Sequence, residues 1–130
     1  MLSRFLNGLM IRTFSHDIVL ELAQYADIPV INGLTDLLHP CQVLADLQTI
    51  REHKGKLAGL KLAFIGDGNN MAHSLMNGGA RMGMHVAVAC PDGYQPDAAV
   101  LAQAQAAAKE SGGSVAVLAD PMAAAAGADV

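Results

Sequence analysis

Short apolar runs alternate with longer stretches in which apolar side chains recur every three or four residues, and this alternation predicts strands and helices in turn. Leu9-Met10-Ile11, between Gly8 and Ser15, reads as a buried strand ending at Arg12. Ser15 offers a helix N-cap and Asp17 a favourable first-turn charge, and Ile18, Val19, Leu22, Tyr25 and Ala26 then fall on one helical face. Pro29 stops that helix, and Val30-Ile31 begins a second short strand closed by Asn32-Gly33. Pro40 suits the first position of the next helix and pushes His39 into an extended conformation. Val43, Leu44, Leu47 and Ile50 repeat at helical spacing, and Arg51, His53 and Lys54 place cations in the last turn.

Gly55 and Gly59 mark a polar link, taken as the boundary between a unit of residues 1–55 and one of 56–130. Leu60 to Ile65 is a buried strand, Gly66-Asp67-Gly68-Asn69-Asn70 a turn, and a helix runs through Ala72, Leu75, Met76 and Ala80 to Gly83. His85 to Cys90 is a strand, Pro91-Asp92-Gly93 a turn, and Ala98 to Glu110 an Ala-rich helix before Gly112-Gly113. Ser114 to Leu118 is a further strand, and a helix from Pro121 through Met122–Ala126 stops at Gly127. Strand–helix alternation with short links predicts an α/β fold, parallel sheets with flanking helices. The sequence stops at Ala128-Asp129-Val130, where another strand is expected, and has little structure before its first strand; a fragment of a larger chain is the expectation.

Composition supports a globular chain: 52% of the 130 residues are hydrophobic and 15% charged, so a core of Leu, Ile, Val, Ala and Met is available. The net charge of −4 and the absence of a basic run give no reason to expect nucleic acid or an anionic membrane as partner. No apolar stretch approaches the roughly 18 residues of a spanning helix, and the N-terminus does not resemble a secretory signal. Cys41 and Cys90 read as free thiols in a reducing, cytoplasmic compartment. The five histidines show no metal-ligand spacing, so the residues give no reason to expect a metal site.

Three places carry chemistry. Gly66-x-Gly68, after a strand and before a helix, resembles part of a dinucleotide turn, but Met71 stands where the third glycine belongs. A tight turn without ligand, or a site where Asn69 and Asn70 hold a zwitterionic amino acid beyond the strand ends, are the other readings. His39-Pro40-Cys41-Gln42 sits at a helix mouth, where free N–H groups and the dipole favour an anion. His39 donates to an oxygen there or simply caps the helix; Gln42 both donates and accepts; Cys41 is ordinary packing material unless context says otherwise. Arg12, at a strand end, either grips phosphate at the sheet rim or is an exposed terminal charge.

Together these segments resemble the ornithine carbamoyltransferase family. Met10-Ile11-Arg12-Thr13 is similar to its carbamoyl-phosphate arginine strand, and Asn32-Gly33-Leu34-Thr35-Asp36 with His39-Pro40-Cys41-Gln42 to its signature loop. Asp46-Leu47-x-Thr49-Ile50 continues in the same manner, and Gly66-Asp67-Gly68-Asn69-Asn70 with His73-Ser74 resembles the start of its ornithine-binding domain. Cys41, where aspartate-specific relatives usually carry Thr, and the Asn69-Asn70 pair favour ornithine over aspartate, N-acetylornithine or putrescine. The resemblance implies that residues 1–55 end a carbamoyl-phosphate domain and 56–130 begin a Rossmann-like ornithine domain. Arg12, His39 and Gln42 are then catalytic, Pro40 and Cys41 line the carbamoyl phosphate site, and Asn70 meets ornithine. It also implies arginine biosynthesis or the urea cycle, and a homotrimer at full length. The family's Ser-x-Arg-Thr phosphate loop, its Asp before Ser-Met-Gly and its His-Cys-Leu-Pro segment do not occur in this sequence, so the chain alone is expected to be inactive. The competing expectations are a nucleotide- or amino-acid-binding module and a catalytically dead remnant.

Overall fold

The computed structural model describes residues 2–130 and contains two parallel sheets. After a 3-10 turn at Leu2–Arg4, β1 (Leu9–Arg12), α1 (His16–Tyr25) and β2 (Val30–Leu34) form one right-sized strand–helix–strand unit, with β1 beside β2. α2 (Pro40–Lys54) leads to the second sheet, where β3 (Lys61–Ile65), β4 (His85–Ala89) and β5 (Ser114–Leu118) lie in that order. α3 (Asn70–Arg81) and α4 (Ala98–Ser111) connect these strands, and α5 (Pro121–Ala125) follows β5. The register of the second sheet runs unshifted from Lys61–His85–Ser114 to Ile65–Ala89–Leu118. On the free side of β3, Asp129 N–H donates to Lys61 O (2.8 Å) and Ala63 N–H to Val130 O (2.9 Å), so the last residues already pair with the sheet.

The main core lies between β3–β5 and the helices α3 and α4, around Met76, Met84, Val86, Val88, Ala104 and Ala108. Val43, Leu47 and Ile50 of α2 belong to that same core, so the helix that leaves the first sheet is anchored in the second. Full burial of each such aliphatic side chain contributes about 1.5–3 kcal/mol. The opposite face of β4 and β5 is covered by α5 through a small cluster of Ala87, Ala89 and Ala124 with Leu118.

Several expectations need correction. β1 is not a buried strand: Met10 is 64% exposed, because the helices of this unit, α1 and α2, pack chiefly on β2. β2 does not close at Asn32-Gly33 but continues to Leu34, with Ile11 opposite Asn32 and Arg12 opposite Leu34. Gly33 takes up this one-residue bulge, and a side chain there would collide with Met10 Sδ at 2.6 Å. Ser15 occupies the N-cap position of α1 but makes no capping bond; the Asp36 carboxylate accepts from His16 N–H instead, at 3.0 Å. Ile18, Tyr25 and Leu44, read as core-facing, are exposed. Pro40 at the start of α2, Gly55 at its end and the strand β5 stand where the sequence pattern puts them.

Candidate active site

The C-terminal ends of β1 and β2 deliver two loops to one rim, and α2 starts between them. Thr13 N–H donates to Leu34 O (3.0 Å) and Asp36 N–H to Phe14 O (2.7 Å), which sews the loop after β1 to the loop after β2. Thr35, fully buried, is the knot: its Oγ1 accepts from Leu38 N–H (3.1 Å) and lies 3.0 Å from His16 Nδ1. Arg12 ends β1 on this rim with its side chain exposed, opposite Leu34 and just past the one-residue bulge at Gly33.

His39 precedes Pro40 at φ −129° and ψ 66°, short of the fully extended conformation expected of it, and its ring makes no capping bond to α2. The capping reading of His39 therefore fails. Its Nδ1 is buried without a hydrogen-bond partner among the described residues, and so is Asn32 Oδ1 of β2. An unpaired buried polar atom costs about 1–3 kcal/mol, so two of them close to one helix mouth need an account. Cys41 Sγ donates to the Asn32 carbonyl at 3.4 Å, which places Cys41 and Asn32 together at the start of α2. Gln42 is exposed, and its Nε2 donates to Asp46 Oδ1 (2.9 Å), leaving its own carbonyl oxygen free to accept. His39, Cys41 and Asn32 are thus gathered at the mouth of α2, with Gln42 on its first turn and Arg12 on the adjoining rim.

The second sheet reaches the same loop through α3. Asn70 Nδ2 donates to Thr35 O (2.7 Å), His73 Nδ1 pairs with Leu37 O (2.9 Å) and His39 N–H donates to Ser74 Oγ (2.7 Å). Asn69 caps α3, its Oδ1 accepting from Met71 N–H (3.0 Å) and Ala72 N–H (3.3 Å), so it shapes the turn and Asn70 faces the loop. Sequence reasoning quoted Asn32, Thr35, His73 and Ser74 within motifs but gave them no role. The bonds from α3 reach 35 or 36 residues back along the chain, to the loop before α2, where no local pattern reports them.

The glycine turn serves packing. A Cβ on Gly68 would run into the backbone of Gln95 and Pro96, and Gly68 N–H donates to Tyr94 O (2.8 Å). Gly66 N–H donates to Ala89 O (3.0 Å). The close approach that a dinucleotide turn offers to a pyrophosphate is made here by the chain's own 94–96 segment, which removes the footing of the nucleotide reading. Burial pushes the Cys90 thiol above its usual range, and the nearby Asp67 charge adds to this. Among the described residues no helix is long and apolar enough to cross a membrane.

Fold and rim therefore define a parallel α/β protein with a polar site at the strand ends, at the mouth of a helix. Comparison with known proteins names its kind. Residues 1–52 match the carbamoyl-P binding domain of aspartate/ornithine carbamoyltransferases, and residues 58–130 match the Asp/Orn binding domain of the same enzymes. The chain belongs to the aspartate/ornithine carbamoyltransferase family. It is 64% identical over 129 residues to the ornithine carbamoyltransferase of Symbiobacterium thermophilum, covering 99% of this chain and 42% of that one. The crystal structure of the Gloeobacter violaceus ornithine carbamoyltransferase superposes with a TM-score of 0.95 at 58% identity, covering 98% of this chain and 45% of that one. An N-acetyl-L-ornithine transcarbamylase mutant, complexed with carbamyl phosphate and N-succinyl-L-norvaline, superposes with a TM-score of 0.88 at 33% identity, over 98% of this chain and 44% of that one. The chain thus spans about two fifths of the length of the curated relatives it matches.

Proposed function

We propose that this chain supplies part of the active site of an ornithine carbamoyltransferase, which moves the carbamoyl group of carbamoyl phosphate to the δ-amine of L-ornithine and yields L-citrulline and phosphate. The observation that carries the reading is the His39 imidazole: it makes no capping bond to α2, and its Nδ1 is buried without a partner among the described residues, at the mouth of that helix. An oxygen that gains negative charge suits that place, because the helix mouth and the imidazole both favour it.

In this reading Arg12 holds the phosphate and the carbonyl oxygen, His39 donates to the carbonyl oxygen, and the free Gln42 carbonyl accepts from the carbamoyl NH2. Pro40 and Cys41 line the same site. Asn70, with half of its amide committed to Thr35 O, keeps its own oxygen for the α-amino end of ornithine. The neutral δ-amine attacks the carbonyl carbon, a C–N bond forms, and charge grows on the carbonyl oxygen. The C–O bond to phosphate then breaks, phosphate leaves with the electron pair, and the departing phosphate takes the proton that the amine gives up. Each fixed donor at the carbonyl oxygen lowers the barrier by about 3 kcal/mol, and holding both substrates in line supplies much of the rest. None of these steps calls on a metal or an organic cofactor. Residues 1–55 act as the carbamoyl-phosphate portion and 56–130 as the ornithine portion. The reading extends to a homotrimeric, cytoplasmic enzyme of arginine biosynthesis.

The test is a segment exchange. These 130 residues replace the matching stretch of the Gloeobacter violaceus enzyme, which superposes on them closely. The chimera is expected to form citrulline from carbamoyl phosphate and ornithine, and to use aspartate or putrescine poorly. A folded chimera that makes no citrulline, or that prefers another amine, refutes the assignment.

A further inference from the structure

The rim that carries His39 has little regular structure of its own, and it is α3, from the other sheet, that holds its backbone. His73 and Ser74 are 6% and 4% exposed, so water cannot easily replace the bonds they make. The Ser74 hydroxyl accepts the His39 N–H at 2.7 Å. His73 bridges two backbone groups: Asp97 N–H donates to its Nε2 (2.9 Å), and its Nδ1 lies 2.9 Å from Leu37 O. A backbone N–H only donates and a carbonyl only accepts, so Nε2 must be bare and Nδ1 must carry the proton. The neighbours leave one tautomer.

We propose that His73 and Ser74 are positioning residues for carbamoyl transfer: they fix the Leu37–His39 backbone, and through it the imidazole of His39. The inference rests on the functional reading above. The ring of His39 makes no capping bond to α2 and its Nδ1 has no partner among the described residues, so its place is set by its backbone, and that backbone is tied to Ser74. The tie at Leu37 continues through His73 to Asp97, whose Oδ1 caps α4 by accepting from Ala99 N–H (2.8 Å) and Val100 N–H (3.0 Å). Rigid elements of the second sheet, α3 and the start of α4, therefore orient a group of the first. Loss of either tie leaves a half-buried backbone group unpaired and lets His39 drift, and small misplacements at a reacting centre cost much of the rate.

The experiment uses the same chimera with Ser74→Ala, His73→Ala and His73→Gln. Gln keeps a donor and an acceptor side by side and can span Leu37 O and Asp97 N–H. Ser74→Ala and His73→Ala are expected to raise the KM for carbamoyl phosphate roughly tenfold and to lower kcat, while the ornithine KM moves by less than about threefold. His73→Gln is expected to recover most of the loss. Variants whose kinetic constants per active site match the parent, with only a lowered Tm, overturn the proposal. A parent chimera without transferase activity removes the functional reading, and this inference with it. Should a variant not fold, the wild-type ring still decides: 15N chemical shifts of the His73 imidazole are expected to show the proton on Nδ1, and a proton on Nε2 overturns the bridge.

Discussion

Replacing Gly78 by Ala is expected to change sign with its background. Gly78 lies on α3 where α2 crosses it, and a Cβ there would sit 2.6 Å from Val43 Cγ1 and 3.2 Å from Leu47 Cδ1. Ordinary carbon–carbon contacts lie at about 3.5–4.0 Å, so one side must give by about 1 Å. Leu47 can turn its terminal methyl away. Val43 is 3% exposed and, being β-branched in a helix, is held to essentially one rotamer, so α2 itself has to move. Overpacking of this kind costs about 1–3 kcal/mol, and the gain in helix propensity from Gly to Ala returns about 1, leaving a net loss of about 1 kcal/mol. In a Val43→Ala background the obstructing methyl is gone, and the same Gly78→Ala change is expected to stabilise by up to about 1 kcal/mol. Urea unfolding of the four chains, with m unchanged, measures this cycle. Equal effects of Gly78→Ala in both backgrounds would refute the claim that close helix contact explains this glycine.

Other outcomes follow from the same geometry. Asn69→Ala removes the cap of α3 and is expected to cost about 1 kcal/mol in denaturant unfolding, while Asn69→Asp retains most of it. Cys41 is exposed and Cys90 buried, so a thiol reagent is expected to label Cys41 quickly and Cys90 only upon unfolding, as mass spectrometry of the labelled peptides would show. Because burial raises the Cys90 thiol, the folded chain holds that proton more tightly than the unfolded one. The stabilisation is complete below the ordinary thiol range of about 8.5 and is lost as pH rises through the folded value. Urea midpoints are therefore expected to fall over that range and to fall less in Cys90→Ala. The 130-residue chain by itself is expected to give no citrulline in a colorimetric assay, because its sequence lacks the family's Ser-x-Arg-Thr and His-Cys-Leu-Pro segments.

Local pattern made the second unit easy to read. Leu60 to Leu118 follows strict strand–helix alternation with Gly and Pro at the turns, and β4, buried from Val86 to Ala89, shows the continuous apolar signature of a strand covered on both faces. The first unit was harder. A pair of strands whose helices pack chiefly on β2 does not bury Met10 or Ile31, so apolar composition there overstates burial. The bulge at Gly33 has no local signature, because it answers to the facing strand. Arg12, His39 and Gln42 could be picked out as candidates from their places at a strand end and a helix mouth, and the roles proposed for them come from the family resemblance. The ties from Asn70, His73 and Ser74 were not legible, because they join groups that only the packing of α3 on the Thr35–His39 loop brings together. Gly68 misled for a related reason: a glycine needed for close backbone approach looks the same whether the neighbour is a phosphate or Pro96.

That Arg12 and His39 act on one ligand is tested most directly by the affinity of the chimera for carbamoyl phosphate. Calorimetric titration of the parent, Arg12→Ala, His39→Ala and the double variant gives the coupling between the two side chains. Each single change is expected to weaken binding at least about tenfold, with a coupling of about 1 kcal/mol or more, as groups that share a ligand show. Strictly additive effects, or unaltered affinity in either single variant, would contradict the claim that a guanidinium from β1 and an imidazole at the mouth of α2 close on the same molecule.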